Sequence, residues 1–362
     1  MNPDPVLDRL IDQVRAALAD GRPLAIQGGR PKSFYGEPLV GEPLELRPLA
    51  GLSSYEPTEL VVTARAGTPL DELEAALAEK GQCLPFEPPR FASGGTVGGM
   101  VAAGLSGPSR AAVGAVRDYV LGATMLNGRA QVLSFGGQVM KNVAGYDVSR
   151  LLAGSLGTLG VILEVSLKVL PIAPATATLR FEMDEGTALQ RLNEWAAQPL
   201  PLNASAWWDG TLLLRLRGAQ AAVAAACRQL GGEPIAAMQA APFWEGLRDQ
   251  RDEFFVKAHA AVQTGASLWR LSVPPTAAPL RLPGEQLIEW GGGQRWWCTP
   301  APAAAVREAA ARAGGHATRF HGPPDGPVFM PLPPVLERLH RSLKAAFDPQ
   351  GLFNRGRLTS GL

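Results

Sequence analysis

The sequence predicts an α+β protein in two parts, with a C-terminal helix that returns to the first part. Three patterns predict it. The first hundred residues run as helix, strand, glycine loop, strand and helix; glycines are then threaded through apolar sequence from Ser93 to Gly160; and beyond Pro174 a strand–helix–strand plan repeats. The 362 residues suffice for two domains, and a 46% hydrophobic share supplies their cores. The expected boundaries are 1–171, 172–332 and, for the C-terminal helix and tail packing on the first domain, 333–362.

Leu7, Leu10, Ile11, Val14 and Leu18 mark one face of a first helix, opened by Asp4-Pro5 and closed by Gly21. Pro23–Ile26 is a strand running into Gln27-Gly28-Gly29-Arg30-Pro31-Lys32-Ser33. Leu60–Ala64 is a strand, and Thr68-Pro69-Leu70-Asp71 reads as an N-cap with Pro at N1, opening a helix that ends at Lys80-Gly81. Tyr119–Leu126 and Ala130–Ser134 flank Asn127-Gly128, a hairpin signal. Gly160–Leu170 alternates and stops at Pro171, where the first boundary falls. Then come strand 176–181, helix 188–197, strands 205–208 and 211–216, and helix 219–230. A similar cycle runs from Leu268 to Phe320, with a hairpin at 290–296 and a helix at 303–313, giving a sheet with its helices on one face. An amphipathic helix, Pro334–Phe347, precedes Asp348-Pro349.

Composition excludes several classes of function. Lys and Arg number 34 against 33 Asp and Glu, a net charge of +1, so no broad field draws the chain onto nucleic acid. Cys83, Cys227 and Cys298 lie far apart, with no CxxC and no His at metal spacing, which argues against a disulfide framework, a metal site or an iron–sulfur cluster. The N-terminal stretch interrupts its apolar residues with charge, and no run approaches ~20 apolar residues, so a cytoplasmic protein is expected.

The chemistry concentrates in three blocks. Gly28 and Gly29 expose main-chain N–H groups beside Arg30 and Lys32, a candidate nest for a diphosphate, although the P-loop ending and GxGxxG are both absent. A tight turn after a strand accounts for the same residues. In the second block, Ser93-Gly94-Gly95-Thr96-Val97-Gly98-Gly99 continuing to Gly104, Ser106 and Gly107, small residues would let a flat ligand lie on the main chain, with Ser93, Thr96 and Ser106 as hydroxyl donors. A glycine-packed corner is the alternative. The third block, Lys141-Asn142 to Gly145-Tyr146-Asp147 and on through Gly154, Gly157, Gly160 and Ile162, sets polar groups between apolar runs, where burial would demand partners.

Together these blocks resemble the flavin domain of the vanillyl-alcohol oxidase/para-cresol methylhydroxylase (PCMH-type) superfamily, in its FAD-linked 2-hydroxyacid oxidase branch. The third block matches a KNxxGYDxxRLxxGSxGTLGxI pattern almost throughout, and Asp348-Pro349 to Asn354-Arg355-Gly356 is similar to a DPxxxxNPG tail, with Arg355 where Pro is usual. The likeness reaches both ends of the chain and is clearest over 20–171. It implies FAD held by Gln27, Gly28, Gly29, Arg30, Lys32, Ser33, Ser93, Gly94, Gly95, Thr96, Gly98, Gly99, Gly104, Ser106, Gly107, Lys141, Asn142, Gly145, Tyr146, Gly160 and Ile162. Covalent members carry a His in the first glycine loop; positions 27–36 have none, so the FAD is expected to be non-covalent. The branch's catalytic HxGDGNxH motif is reduced to His321-Gly322-Pro323-Pro324-Asp325-Gly326. Shorter length, missing histidines and the 344–357 tail are similar to the family of FAD-binding E subunits of bacterial glycolate oxidase. That implies a small 2-hydroxyacid substrate, a catalytic FAD subunit and an iron–sulfur subunit as partners, and membrane contact, peripheral to the inner membrane, only through them.

No catalytic base stands out; Lys141 and Tyr146 are the candidates near the isoalloxazine, able to tune the ring or bind a carboxylate. His259, His316, His321 and His340 lack metal spacing. Trp207-Trp208 and Trp296-Trp297 fit either flavin stacking or core packing. Arg338, Arg341, Lys344, Arg355 and Arg357 form a basic end, for an acidic partner or for solvent. Two other functions fit: an independent flavoenzyme on another 2-hydroxyacid or alcohol, and a non-catalytic scaffold subunit.

Overall fold

The computed structural model describes residues 4–137 and 147–360. The chain forms two compact units. One comprises the residues up to Leu105, Ala115–Pro171 and those from Pro331 on; the other comprises Ser106–Gly114 and Ile172–Met330.

The first unit opens with the helix Pro5–Asp20. The Asp4 carboxylate accepts the amides of Val6 and Leu7, Pro5 occupies the first turn, and Gly21 takes the left-handed conformation at the end. Its buried stripe, Leu10, Val14 and Ala17, packs on Leu24 and Leu44 from a parallel pair, Leu24–Gln27 with Glu42–Glu45. Parallel strands need a crossover, and here the glycine loop provides it. The C-terminal tail adds a third parallel segment: Phe353 bridges Leu24, with Leu24 N to Leu352 O at 2.8 Å and Asn354 N to Leu24 O at 3.0 Å.

A five-stranded antiparallel sheet completes this unit, in the order Leu52–Glu56, Val61–Arg65, Val161–Lys168, Val120–Leu126, Val132–Gly136. Val62, Ala64, Val165 and Leu167 bury one face beneath the helices Leu70–Glu79 and Val97–Ala103. The hairpin 120–136 turns at Asn127, whose Oδ1 accepts the amides of Arg129 and Gln131. Thr68 does not cap helix 70–79. Its hydroxyl and the Gly51 backbone exchange two hydrogen bonds of 3.0 Å, which leaves Pro69 at the cap position.

The second unit is an eight-stranded sheet, ordered Glu233–Ile235, Ala175–Glu182, Thr211–Gly218, Leu202–Trp208, Glu285–Glu289, Gln294–Thr299, Ser267–Ser272, His316–His321. The expectation of helices on one face is corrected: they cover both. Leu212, Leu214 and Leu216 meet Leu192 and Val223 of helices Glu185–Ala196 and Gln220–Leu230, and Trp297 meets Val306 of helix Ala303–Arg312. Neighbouring strand residues point the other way. Trp296 packs on Phe255 of helix Glu253–Gln263, and Thr178 accepts the indole N–H of Trp244 from helix Ala237–Arg248.

The paired tryptophans are core residues. Trp207 donates to Met183 O at 2.9 Å, Trp296 to the buried Glu289 carboxylate at 2.7 Å, and Trp297 to Pro283 O at 3.0 Å. His321 and His259 meet edge to face at 5.0 Å, and burial, then the neighbouring His259, pushes the His321 imidazole down to about 4. Burial also lowers His259. A depressed base stays neutral in the fold while the unfolded chain takes up a proton near pH 6.5, so stability present above that pH is lost as pH falls toward 4. We expect the unfolding midpoint of this unit to drop between about pH 7 and pH 5, and His321→Asn to flatten that slope. An equal change of midpoint between the two pH values in wild type and His321→Asn, by denaturant titration, would show that the histidine pair is not the cause.

Candidate functional site

Strand 24–27 delivers the first glycine loop against the second, backbone to backbone. A Cβ on Gly29 would sit 1.3 Å from Gly94 O, and one on Gly28 would sit 2.6 Å from Thr96 Oγ1. The second loop is fastened by Leu70 N to Gly95 O at 2.8 Å and Val97 N to Thr68 O at 2.9 Å. Thr96 Oγ1 accepts the Gly99 amide, capping helix 97–103, and retains its own proton to donate.

Around these loops lies an open cleft. Gln27, Gly28, Gly29, Arg30, Lys32, Ser33, Gly95, Thr96, Gly98, Gly99, Gly160 and Ile162 all line it. Ser93 and Gly94 share the second loop without reaching the wall. Gly104 closes helix 97–103 in the left-handed conformation and packs so tightly that a Cβ would lie 2.7 Å from Gly154 Cα. Ser106 and Gly107 belong to the second unit, where Gly107 O accepts the Trp290 indole N–H at 3.1 Å. Lys141, Asn142, Gly145 and Tyr146 lie outside the described residues.

Two lining residues from the C-terminal tail, Asn354 and Arg357, were not foreseen at the site. Asn354 Oδ1 accepts Ile26 N at 2.8 Å while its Nδ2 donates to Leu156 O at 2.6 Å, tying strand 24–27 to the third glycine block. Arg357 is buried and donates to Ser33 O and Tyr35 O, each at 2.7 Å, and to Glu37 O. Burial lowers its guanidinium to about 10. Behind them Lys344 uses all three ammonium protons, on Thr158 O, Asp348 Oδ2 and Phe353 O at 2.7–2.8 Å, and Asp348 accepts the amides of Leu352 and Phe353. Lys344 and Arg357 are therefore internal clamps and not part of a basic docking face. The tail motif marked Asp348 and Asn354 in the sequence, but only the tertiary bridges give them a place.

The wall is suited to a dinucleotide. Three cations, Arg30, Lys32 and Arg357, line the cleft with no carboxylate, and among the described residues the amides of Gly28, Gly29 and Arg30 have no protein acceptor. Arg30 adopts a left-handed φ of 68°, the conformation of an anion nest. Ile26, Leu46, Ala102, Ala103 and Ile162 offer small apolar surface for flat rings. Cationic glycine loop, bare amides and a floor without bulk fit FAD. Among the described residues no group of His, Cys, Asp and Glu could hold a metal ion, and no helix is long and apolar enough to cross a membrane.

The family described as an FAD binding domain matches residues 7–136. Alkyldihydroxyacetonephosphate synthase aligns over 96% of this chain and 74% of its own, with a TM-score of 0.66 at 14% identity, which shows the fold. These define the class: a protein with an FAD-binding domain of the PCMH-type fold. The glycolate oxidase subunit GlcE of Escherichia coli is 47% identical over 98% of this chain and 97% of its own length, and the chain belongs to that subunit's family. A D-lactate dehydrogenase of Anaerostipes hadrus is 32% identical over 38% of this chain and 29% of its own, and the glycolate oxidase subunit GlcD of Bacillus subtilis 32% over 33% and 25%.

Proposed function

We propose that the chain is the FAD-carrying subunit of a glycolate oxidase, converting glycolate to glyoxylate in an assembly with a catalytic FAD subunit and an iron–sulfur subunit. The cationic, glycine-walled cleft in a chain nearly half identical to GlcE carries this reading. Bound FAD would supply two-electron oxidation at the hydroxyl-bearing carbon and onward transfer of the electrons. The chain's own residues bind and orient. The amides of Gly28, Gly29 and Arg30, with the Arg30 and Lys32 side chains, hold the diphosphate. Gly95, Thr96, Gly98 and Gly99 admit the dinucleotide to the main chain, with Ser93, Gly94 and Gly104 supporting that wall. Gly160 and Ile162 flank the adenosine end, and Asn354 and Arg357 set the loops from behind.

The absence of His from 27–36 makes the attachment non-covalent. Purified chain should be yellow and release its colour into the supernatant on acid precipitation. A folded, colourless chain would overturn the cofactor assignment, and colour retained in the pellet would overturn the mode of attachment. A second reading, support of a partner's turnover, draws on His321 and Asp325. His321 is half-buried against the rings of Phe320 and His259, and Asp325 accepts the Ala303 amide at 3.1 Å to cap helix 303–312, so both residues of the shortened motif have structural work. Loss of glycolate-driven bleaching of this flavin in the intact assembly would favour it.

A further inference from the structure

The second unit buries an arginine without giving its side chain an acceptor. Arg319, on strand His316–His321, keeps only 6% of its surface exposed. Its guanidinium makes no hydrogen bond or ion pair among the described residues, and its Nη1 is fully enclosed. In register Arg319 stands directly opposite Trp269 of strand Ser267–Ser272, so the two side chains leave the same face of the sheet. Trp269 is 1% exposed, and its indole N–H is likewise enclosed with nothing to donate to. The contrast with Trp207, Trp244, Trp290, Trp296 and Trp297 is plain, since each of those donates to an oxygen.

A second guanidinium is brought to the same place. Arg307, on helix Ala303–Arg312, lies over the Trp269 ring with its guanidinium carbon 5.4 Å from the centroid, and it donates to Pro327 O. The next carbonyl along that loop, Val328 O, accepts Arg319 N at 2.9 Å. The one carboxylate of the loop, Asp325, accepts the Ala303 amide instead. Buried polar groups without partners call for an unseen water or ion, and a buried charge calls for a counter-charge. Water could accept both orphaned protons, yet it would leave the guanidinium charge uncompensated. An anion answers both demands. We propose that Arg319, the Trp269 N–H and Arg307 form a binding site for a small oxyanion, a carboxylate or a phosphate, within the second unit. Guanidinium forks match the paired oxygens of either ion. None of the three residues lines the flavin cleft, so this site goes beyond the flavin reading and does not depend on it.

The test uses the full chain saturated with FAD, so that the cations of the cleft are already engaged, at constant ionic strength with chloride as the reference ion. The thermal midpoint, followed by far-ultraviolet circular dichroism, is expected to rise saturably as inorganic phosphate or acetate replaces chloride, because an ion bound only by the folded state stabilises it. Saturation by phosphate alone assigns a tetrahedral anion, and saturation by acetate alone a carboxylate. Saturation by both assigns a site that accepts either. Arg319→Met is expected to abolish the rise. Trp269→Phe keeps a ring beneath Arg307 and removes only the N–H, and the apparent affinity for the ion should fall about tenfold, the scale for losing one hydrogen bond to a charged group. A wild-type midpoint that neither ion moves saturably overturns the proposal and leaves the two donors to buried water. So does a rise that persists undiminished in Arg319→Met or, should that variant not fold, in Trp269→Phe.

Discussion

Gly29→Ala is expected to purify with less than a tenth of the wild-type flavin content while its second unit remains folded. The added carbon would lie 1.3 Å from Gly94 O, a separation that no rotamer change relieves because a Cβ is fixed by its own backbone and the other partner is main chain. The two glycine loops must part by more than an ångström, and the bare amides of Gly28, Gly29 and Arg30 then no longer converge. A tenfold loss corresponds to about 1.4 kcal/mol of binding free energy, small beside the disruption. Gly137→Ala, in the same unit and off the cleft, separates this account from a general intolerance of methyl groups. Its Cβ would meet nothing within 4 Å, so the loops stay zipped and more flavin should be retained. Equal retention by the two variants, read from absorbance per mole of chain, would show that the loop contact does not hold the site.

Lys344→Ala is expected to destabilise the first unit by about 3–5 kcal/mol, the scale for removing one partner of a buried ion pair. The side chains of Lys344 and Asp348 are 9% and 0% exposed, and the deletion leaves the Asp348 carboxylate, Thr158 O and Phe353 O without the ammonium that serves all three. Asp348 would keep the amides of Leu352 and Phe353, so the unit should loosen at the tail first. The Lys344→Met/Asp348→Asn pair removes both charges and keeps one of the two oxygen acceptors, so it should recover part of the loss. Because flavin release follows tail detachment, the temperature at which bound flavin fluorescence rises should fall in the single variant and return in the double. A shift equivalent to less than about 1 kcal/mol in the single variant would mean that the pair is incidental.

Local signals were enough where neighbours along the chain decide the structure. Asp4-Pro5 and Gly21 delimit the first helix, and Asn127-Gly128 marks a hairpin whose Asn127 side chain bonds only within four residues. The glycine loops were legible because backbone-to-backbone contact requires missing side chains, and a run of glycines set in apolar sequence has few uses besides that one. Helix 237–248 was not, since Pro242 and Gly246 interrupt its pattern; Trp244, donating to Thr178 and stacked under Arg215, holds it. Helix 253–263 escaped notice although Asp252 caps it, because Phe254 and Phe255 read equally as strand. The tail's contribution to the cleft could not be read locally at all. Asn354 finds Leu156 across 198 positions and Arg357 finds Tyr35 across 322, and no periodicity encodes such pairings.

The tail segment that pairs with strand 24–27 also sets an order in time. Leu24–Gln27 is made long before its parallel neighbour Leu352–Asn354 and the clamp Arg357. The flavin domain therefore cannot close until that tail has been made, whatever the second unit has already done. Cofactor capture becomes a sign that the tail has emerged and docked. A product truncated before Asn354 would have its glycine loops, yet lack the asparagine that bridges them, and would be left open to proteolysis.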